Sequence, residues 1–213
     1  MTIENINIRN LFSLRFLSAL LGICSSLIMI YTFGTKNNIE IWFLSSLIFN
    51  SFLALSQAGL ISELVIPIYT VERETNDKNA SDIFSYLINL LMLFSTLFLI
   101  IIYFNLSDIL LFIFADNVKI DFDKLIKFTE IINLFIPLAL LNIILKAILN
   151  SHKIFQIPEK IKILRQIITI ASIVFFYKYG VVALVYPFIV GIIIEFCILS
   201  IYLKKTTFSY SFK

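Results

Sequence analysis

Residues 11–33 form a stretch of 23 with a single charge, Arg15, and stretches like it recur to the end of the sequence. An α-helix that crosses the hydrocarbon core of a bilayer needs about 20 such residues. Of the 213 residues 60% are hydrophobic, which leaves room for six crossings. Charged residues make up 15%, against about 25% in an ordinary soluble domain. A soluble core of this size cannot absorb 22 Phe beside so much Ile and Leu without exposing large apolar patches. The sequence therefore specifies an all-α polytopic membrane protein, a bundle of six transmembrane helices.

The expected spans are 11–33, 39–69, 83–106, 128–150, 161–177 and 181–203. The second is too long for one perpendicular crossing and must tilt or project. A charged loop at 71–80 follows it, and Ser81 with Asp82 is the expected N-cap of the third. Residues 107–115 are too few to cross and read as an interfacial helix. Pro137 falls inside the fourth span and Pro187 inside the sixth, each a candidate kink. No repeat or low-complexity linker divides the chain, so 1–213 reads as one transmembrane unit.

Several function classes drop out. The net charge of +3 is small, and basic residues are not clustered with aromatics in a polar setting, so nucleic acid is not a partner. Cys24 and Cys197 lie in apolar runs and read as small buried hydrophobes. No Cys/His cluster has metal spacing, and the one histidine, His152, lies in a loop. The first apolar run exceeds the h-region of a cleavable signal peptide. There is no Gly-rich phosphate loop, nucleophile elbow or paired-His motif, and the loops are too short for a catalytic domain. The expectation is a non-enzyme without metal or cofactor.

Orientation follows from Lys and Arg. With six spans both termini share one side, which holds twelve of the 17 basic residues, and five lie opposite. Both termini are thus expected in the cytoplasm, in a multi-pass protein of the inner (cytoplasmic) membrane.

A charge deep in a span costs about 2.5–3.5 kcal/mol on insertion scales, so each needs a reason. Glu195 stands among apolar residues of the last span. It is either a substrate or proton site facing a cavity, or one half of an ion pair, with Lys146 of the fourth span at similar depth as the partner. Glu63, late in the second span, is within reach of Arg15 in the first, and a pair near the interface is the simpler reading. Glu40 opens the second span, where the helix dipole favours an acid. Asn50, Gln57, Asn89, Asn133 and Asn142 are amides of the kind that hydrogen-bond between helices.

Three segments carry a family resemblance. Residues 33–43 (FGTKNNIEIWF) are similar to the family's step between spans one and two. Residues 59–69 (GLISELVIPIY) are similar to its Gly-Ala-Phe-Ser-Gln segment, which ends in Pro. Residues 147–158 (AILNSHKIFQIP) are similar to its Leu-Asn…Arg-Phe…Pro loop. In order and in spacing the chain resembles the first lobe of the MurJ/MviN-type lipid II flippases, in the superfamily of multidrug, oligosaccharidyl-lipid and polysaccharide exporters. The resemblance implies one lobe of a two-lobed transporter that turns over a lipid-linked saccharide by alternating access around a largely cationic cavity. It also exposes departures. Where the family carries arginines, the register here gives Ala19 and Ser25 in the first span and Leu53 and Ala54 in the second. Glu40 replaces an Asp, and Glu63 and Glu195 fall where amides are more usual.

Two functions compete. In the first, the chain is a flippase-like lobe acting on a lipid II-like or polysaccharide precursor, with Glu195 and Lys146 lining the inner half of the cavity and Glu40 its outer mouth. A second lobe, or a second copy of the chain, completes the path through the lipid bilayer. In the second, it is a half-size membrane protein that transports nothing, an assembly partner or a truncated remnant. Loss of the arginines favours the second, and the intact spans and charge bias favour the first.

Overall fold

The computed structural model describes residues 8–34, 37–56, 66–114 and 121–211. Among these residues every regular element is helical. The order is α1 (Ile8–Phe33), α2 (Asn37–Ser56), α3 (Ile66–Thr75), α4 (Asp77–Phe114), α5 (Phe122–Asn133), α6 (Ile136–Ser151), α7 (Gln156–Phe176), a 3-10 turn (Tyr177–Tyr179) and α8 (Val182–Leu203).

The molecule is apolar outside as well as inside. Ile23 and Leu27 of α1 and Leu93, Leu97 and Phe104 of α4 are exposed. Such a surface is stable only in contact with hydrocarbon or with another protein. By length and apolarity four segments can cross a membrane: Arg9–Phe33, Asp77–Phe114, Phe122–Ser151 and Val182–Leu203. Four of the six expected spans thus have a counterpart long and apolar enough to cross, and residues 57–65 of the second expected span lie outside the described residues. The apolar part of α2 is only Ile39–Leu55. The first half of α7 carries Glu159, Lys160, Lys162 and Arg165.

The core lies where α2, α4, α5, α6 and α8 converge, around Ile41, Phe49, Ile88, Ile136, Ile148 and Val185. α6 is almost wholly buried and packs on α8. α7 lies on α8, and α1 lies on α7. α1 is thus the outermost helix.

Three boundaries depart from the sequence reading. The expected loop at 71–80 is helical apart from Asn76, because α3 runs on to Thr75 and α4 begins at Asp77. The cap of α4 is Asn76, not Ser81 with Asp82: its Oδ1 accepts from the N–H groups of Lys78 at 3.0 Å and Asn79 at 3.3 Å. The separate interfacial helix expected at 107–115 is the end of α4, which continues to Phe114. Nothing at Ser107-Asp108 removes a backbone donor, and Leu106 and Leu110 pack together on Leu125 of α5. At 38 residues α4 is about 57 Å long, well beyond a 30 Å hydrocarbon core. The fourth span has a short interruption at Leu134-Phe135. α5 ends at Asn133, and Pro137 stands in the first turn of α6.

The α6–α7 turn is closed by a Schellman arrangement. Ile154 N–H bonds to the Leu149 carbonyl and Lys153 N–H to the Asn150 carbonyl, both at 2.9 Å. The left-handed position falls on Lys153, φ 62°, where a glycine is normally found. Lys153→Gly is therefore expected to stabilise the chain by about 1 kcal/mol, the left-handed penalty of a side chain. A thermal unfolding midpoint that does not rise in that variant speaks against the strain.

Candidate functional site

α8 carries one charge in 22 residues, Glu195. On the helix, Gly191, Ile192, Glu195 and Leu199 share a buried face, as i, i+4 spacing requires. The Glu195 side chain is 3% exposed. Its carboxylate is gripped from two neighbouring helices. Lys146 Nζ of α6 binds Oε1, and Arg165 Nη1 of α7 donates to Oε2 at 2.8 Å. Both cations keep about a third of their side-chain surface open, at 31% and 32%. The cluster therefore carries one surplus positive charge and presents it to a cavity.

That cavity measures about 130 Å³ and is lined by Phe49, Leu53, Asn142, Lys146, Arg165 and Glu195, among others. Asn142 and Lys146 lie one turn apart on α6 and so face the same space. Asn142 Nδ2 donates to the Ile192 carbonyl at 2.9 Å, and its buried Oδ1 has no partner among the described residues. Arg165 reaches the site because position 191 is glycine. A Cβ there would stand 3.2 Å from Arg165 Cγ and Nε. The guanidinium lies 5.8 Å from the centre of the Phe188 ring, within cation–π range. Phe188 is in turn held edge-on by Trp42 and Phe49. Chemically, such a site is suited to an anionic group: two cations, partly open, with one internal carboxylate to offset the cost of burying them.

The other expected site residues are elsewhere. Arg15 bonds Glu159 of α7 at 3.1 Å on an exposed surface, a pairing the sequence reading did not anticipate. Glu63 and Gln57 lie outside the described residues. Glu40 is exposed in the first turn of α2, Asn50 is exposed on the same helix, and neither lines the cavity. Pro137 starts α6, and Pro187 sits within α8, which runs on through it.

Arg165 was missed as a site residue, because it was counted with the cytoplasmic charges. Its signal was available: it stands four residues inside an expected span, where a charge needs a partner. The Leu53 position also gains meaning. Leu53 lines the same cavity as Arg165 and Lys146. The cations that the resemblance leads one to expect on α2 are absent from Leu53 and Ala54, and two others enter the space from α6 and α7.

A second polar group joins α3 to the end of α6. Tyr69 Oη and His152 Nε2 lie 3.1 Å apart, and Arg73 Nη1 donates to the Ser151 carbonyl at 3.0 Å. Burial pushes the His152 pKa down to about 4, and the nearby Arg73 charge adds to that shift. A histidine lowered on folding gives up stability when it must be protonated. The contribution of His152 is complete above its unfolded value near 6.5 and is lost as pH falls from there towards about 4. The unfolding midpoint of the wild type should drop across that window, and His152→Gln should flatten the drop. Equal slopes in the two proteins would rule out His152 as the cause.

A family model described as lipid II flippase MurJ matches residues 29–213, all but the first part of the chain. No curated protein matches it.

Proposed function

The chain belongs to the MurJ lipid II flippase family, and from that premise we propose that it is one lobe of a transporter that turns over a lipid-linked saccharide. The lobe lies in the cytoplasmic membrane with both termini inside, and it works by alternating access against a second lobe or a second copy of itself. No covalent step is involved. The observation that carries the proposal is the Lys146–Glu195–Arg165 cluster, whose surplus positive charge meets a cavity inside the bundle. An anionic diphosphate linker would bind there through charge-assisted hydrogen bonds, for which the planar Arg165 fork is suited. A lipid II-like molecule and a related polysaccharide precursor share that linker chemistry. Glu195 would hold the two cations in place between substrates and so keep an empty site from collapsing around unpaired charge.

A non-transporting lobe draws on one observation: both Glu195 carboxylate oxygens are already engaged within the chain. The two readings part in a transfer assay. The full chain is reconstituted in vesicles carrying a fluorescent lipid-linked saccharide in one leaflet, with a membrane-impermeant quencher outside. The flippase reading expects transfer faster than in protein-free vesicles and rising with protein density. Rates equal to protein-free vesicles at every density would sink it.

A further inference from the structure

The segment that follows α8 doubles back over the end of the bundle and fastens to α4. A turn at Thr206, whose N–H and hydroxyl both donate to the Leu203 carbonyl, redirects the chain. Phe208 then enters the main core, 8% exposed, with its ring centre 6.4 Å from that of Tyr69. The next residues run along one face of α4. Ser209 N–H donates to Ser81 Oγ at 3.4 Å and Ser211 N–H to Ser85 Oγ at 3.0 Å. Ser211 Oγ donates to Asp82 Oδ1 at 2.9 Å, and Tyr210 Oη to Asn89 Oδ1. Ser81, Ser85 and Asn89 follow one another at single-turn spacing, so they form a polar line on a mostly apolar helix.

α4 and α8 have little direct contact, and α6 lies between them and packs on both. Tyr69, beside Phe208, meets His152 at the C-cap of α6. The segment thus reaches from α8 past the end of α6 to α4, as a strap would.

Two features make this contact reversible. Beyond Thr206 the chain has no regular secondary structure, and Phe208 is the one buried side chain among residues 204–211. Few buried apolar contacts put a segment at the low end of local stability. The face of α4 beneath it is polar as well. Ser85 Oγ already donates to the Ser81 carbonyl at 2.7 Å. Hydrogen bonds of this kind exchange for water at small net cost. An apolar face would be held by hydrophobic burial and would be costly to bare.

We propose that residues 208–211 are a releasable strap. Docked, they hold the start of α4 to the end of α8. Released, they let the start of α4 part from α6 and α8, the helices that carry Lys146 and Glu195. The strap shares no residue with the Lys146–Glu195–Arg165 cluster, and its release does not depend on what the chain transports.

The test uses the purified full chain in lipid nanodiscs, followed by amide hydrogen exchange and by the distance between two spin labels. The labels are carried by Lys78→Cys and Lys204→Cys, both at exposed positions, with Cys24 and Cys197 changed to Ala. The amides of Ser209 and Ser211 should exchange about tenfold or more slower than in an unstructured peptide, yet before the buried parts of α4 and α8. Exchange only together with α4 and α8 overturns the proposal, because the segment is then a fixed part of the core. Exchange at the peptide rate overturns it too, because the segment is then not docked. Phe208→Ala should remove the protection and spread the label distances towards longer values. Protection lost with the distances unchanged also overturns it, since the segment then covers α4 without holding it. If Phe208→Ala does not insert, Tyr210→Phe with Ser211→Ala serves instead. That pair removes only the side-chain hydrogen bonds to Asn89 and Asp82 and should speed exchange at Ser209 several-fold. An unchanged rate in it counts against the strap.

Discussion

Glu195→Gln is expected to cut the amount of inserted chain and to destabilise the bundle by about 3 kcal/mol. Glutamine has nearly the same shape, so the effect is electrostatic. The substitution removes the one anion between Lys146 Nζ and Arg165 Nη1 and leaves two like charges facing each other across a nearly buried position. Breaking a buried pair by removing one partner costs about 3–5 kcal/mol. The lower end applies because both cations are about a third open to the cavity and retain some hydration. The double variant Glu195→Gln with Lys146→Gln should recover part of the loss, since it restores a single charge. A double-mutant cycle on detergent unfolding midpoints measures that coupling. Additive losses would mean that Lys146 and Glu195 do not act on each other. Normal abundance of Glu195→Gln with transfer abolished would assign the carboxylate to substrate handling instead of support.

The helical class was legible because it depends on long apolar runs, and run length survives any detail of packing. The Lys146–Glu195 pair was legible for a related reason: an isolated charge in an apolar helix demands a partner at its own depth, and Lys146 was the basic residue placed there. Arg165 was not found because its stem must pass Gly191, and that close approach is a property of two helices together. The boundaries at Asn76 and Phe114 were misjudged for a different reason. Charged residues at 72–78 and Ser107-Asp108 look like interruptions, yet polar residues end a helix only where they offer the backbone a better hydrogen bond. Asn76 does so for Lys78 and Asn79. Around Ser107 the packing of Leu106 and Leu110 on Leu125 favours continuation. Pro137 suggested a kink, and because a proline removes the hydrogen bond that the carbonyl four residues upstream would accept, α5 ends at Asn133.

Arg165→Gln separates the charge of the cluster from its support of the fold. Without Arg165, Lys146 and Glu195 remain as a balanced pair, and glutamine can still donate to Glu195 Oε2. Stability should change by only about 1 kcal/mol, mostly through lost contact with Phe188 and Gly191. The surplus positive charge is gone, however, and with it the attraction for an anionic linker. One charge-assisted hydrogen bond is worth about 1.5–3 kcal/mol, so transfer of the lipid-linked saccharide should slow by about 10–100-fold. Arg165→Lys keeps the charge but loses the planar fork, and should fall between the two. The order wild type, Lys, Gln in transfer rate, at near-equal abundance, is the expected pattern. Wild-type transfer in Arg165→Gln would show that the cluster only braces α6, α7 and α8, and the anion path would then have to run elsewhere in the bundle. A variant that is poorly inserted, and slow only in proportion to its abundance, would likewise make Arg165 a brace. The series reads the charge and the fork of Arg165 apart from the support given by Glu195 and Lys146, which stay paired in every member.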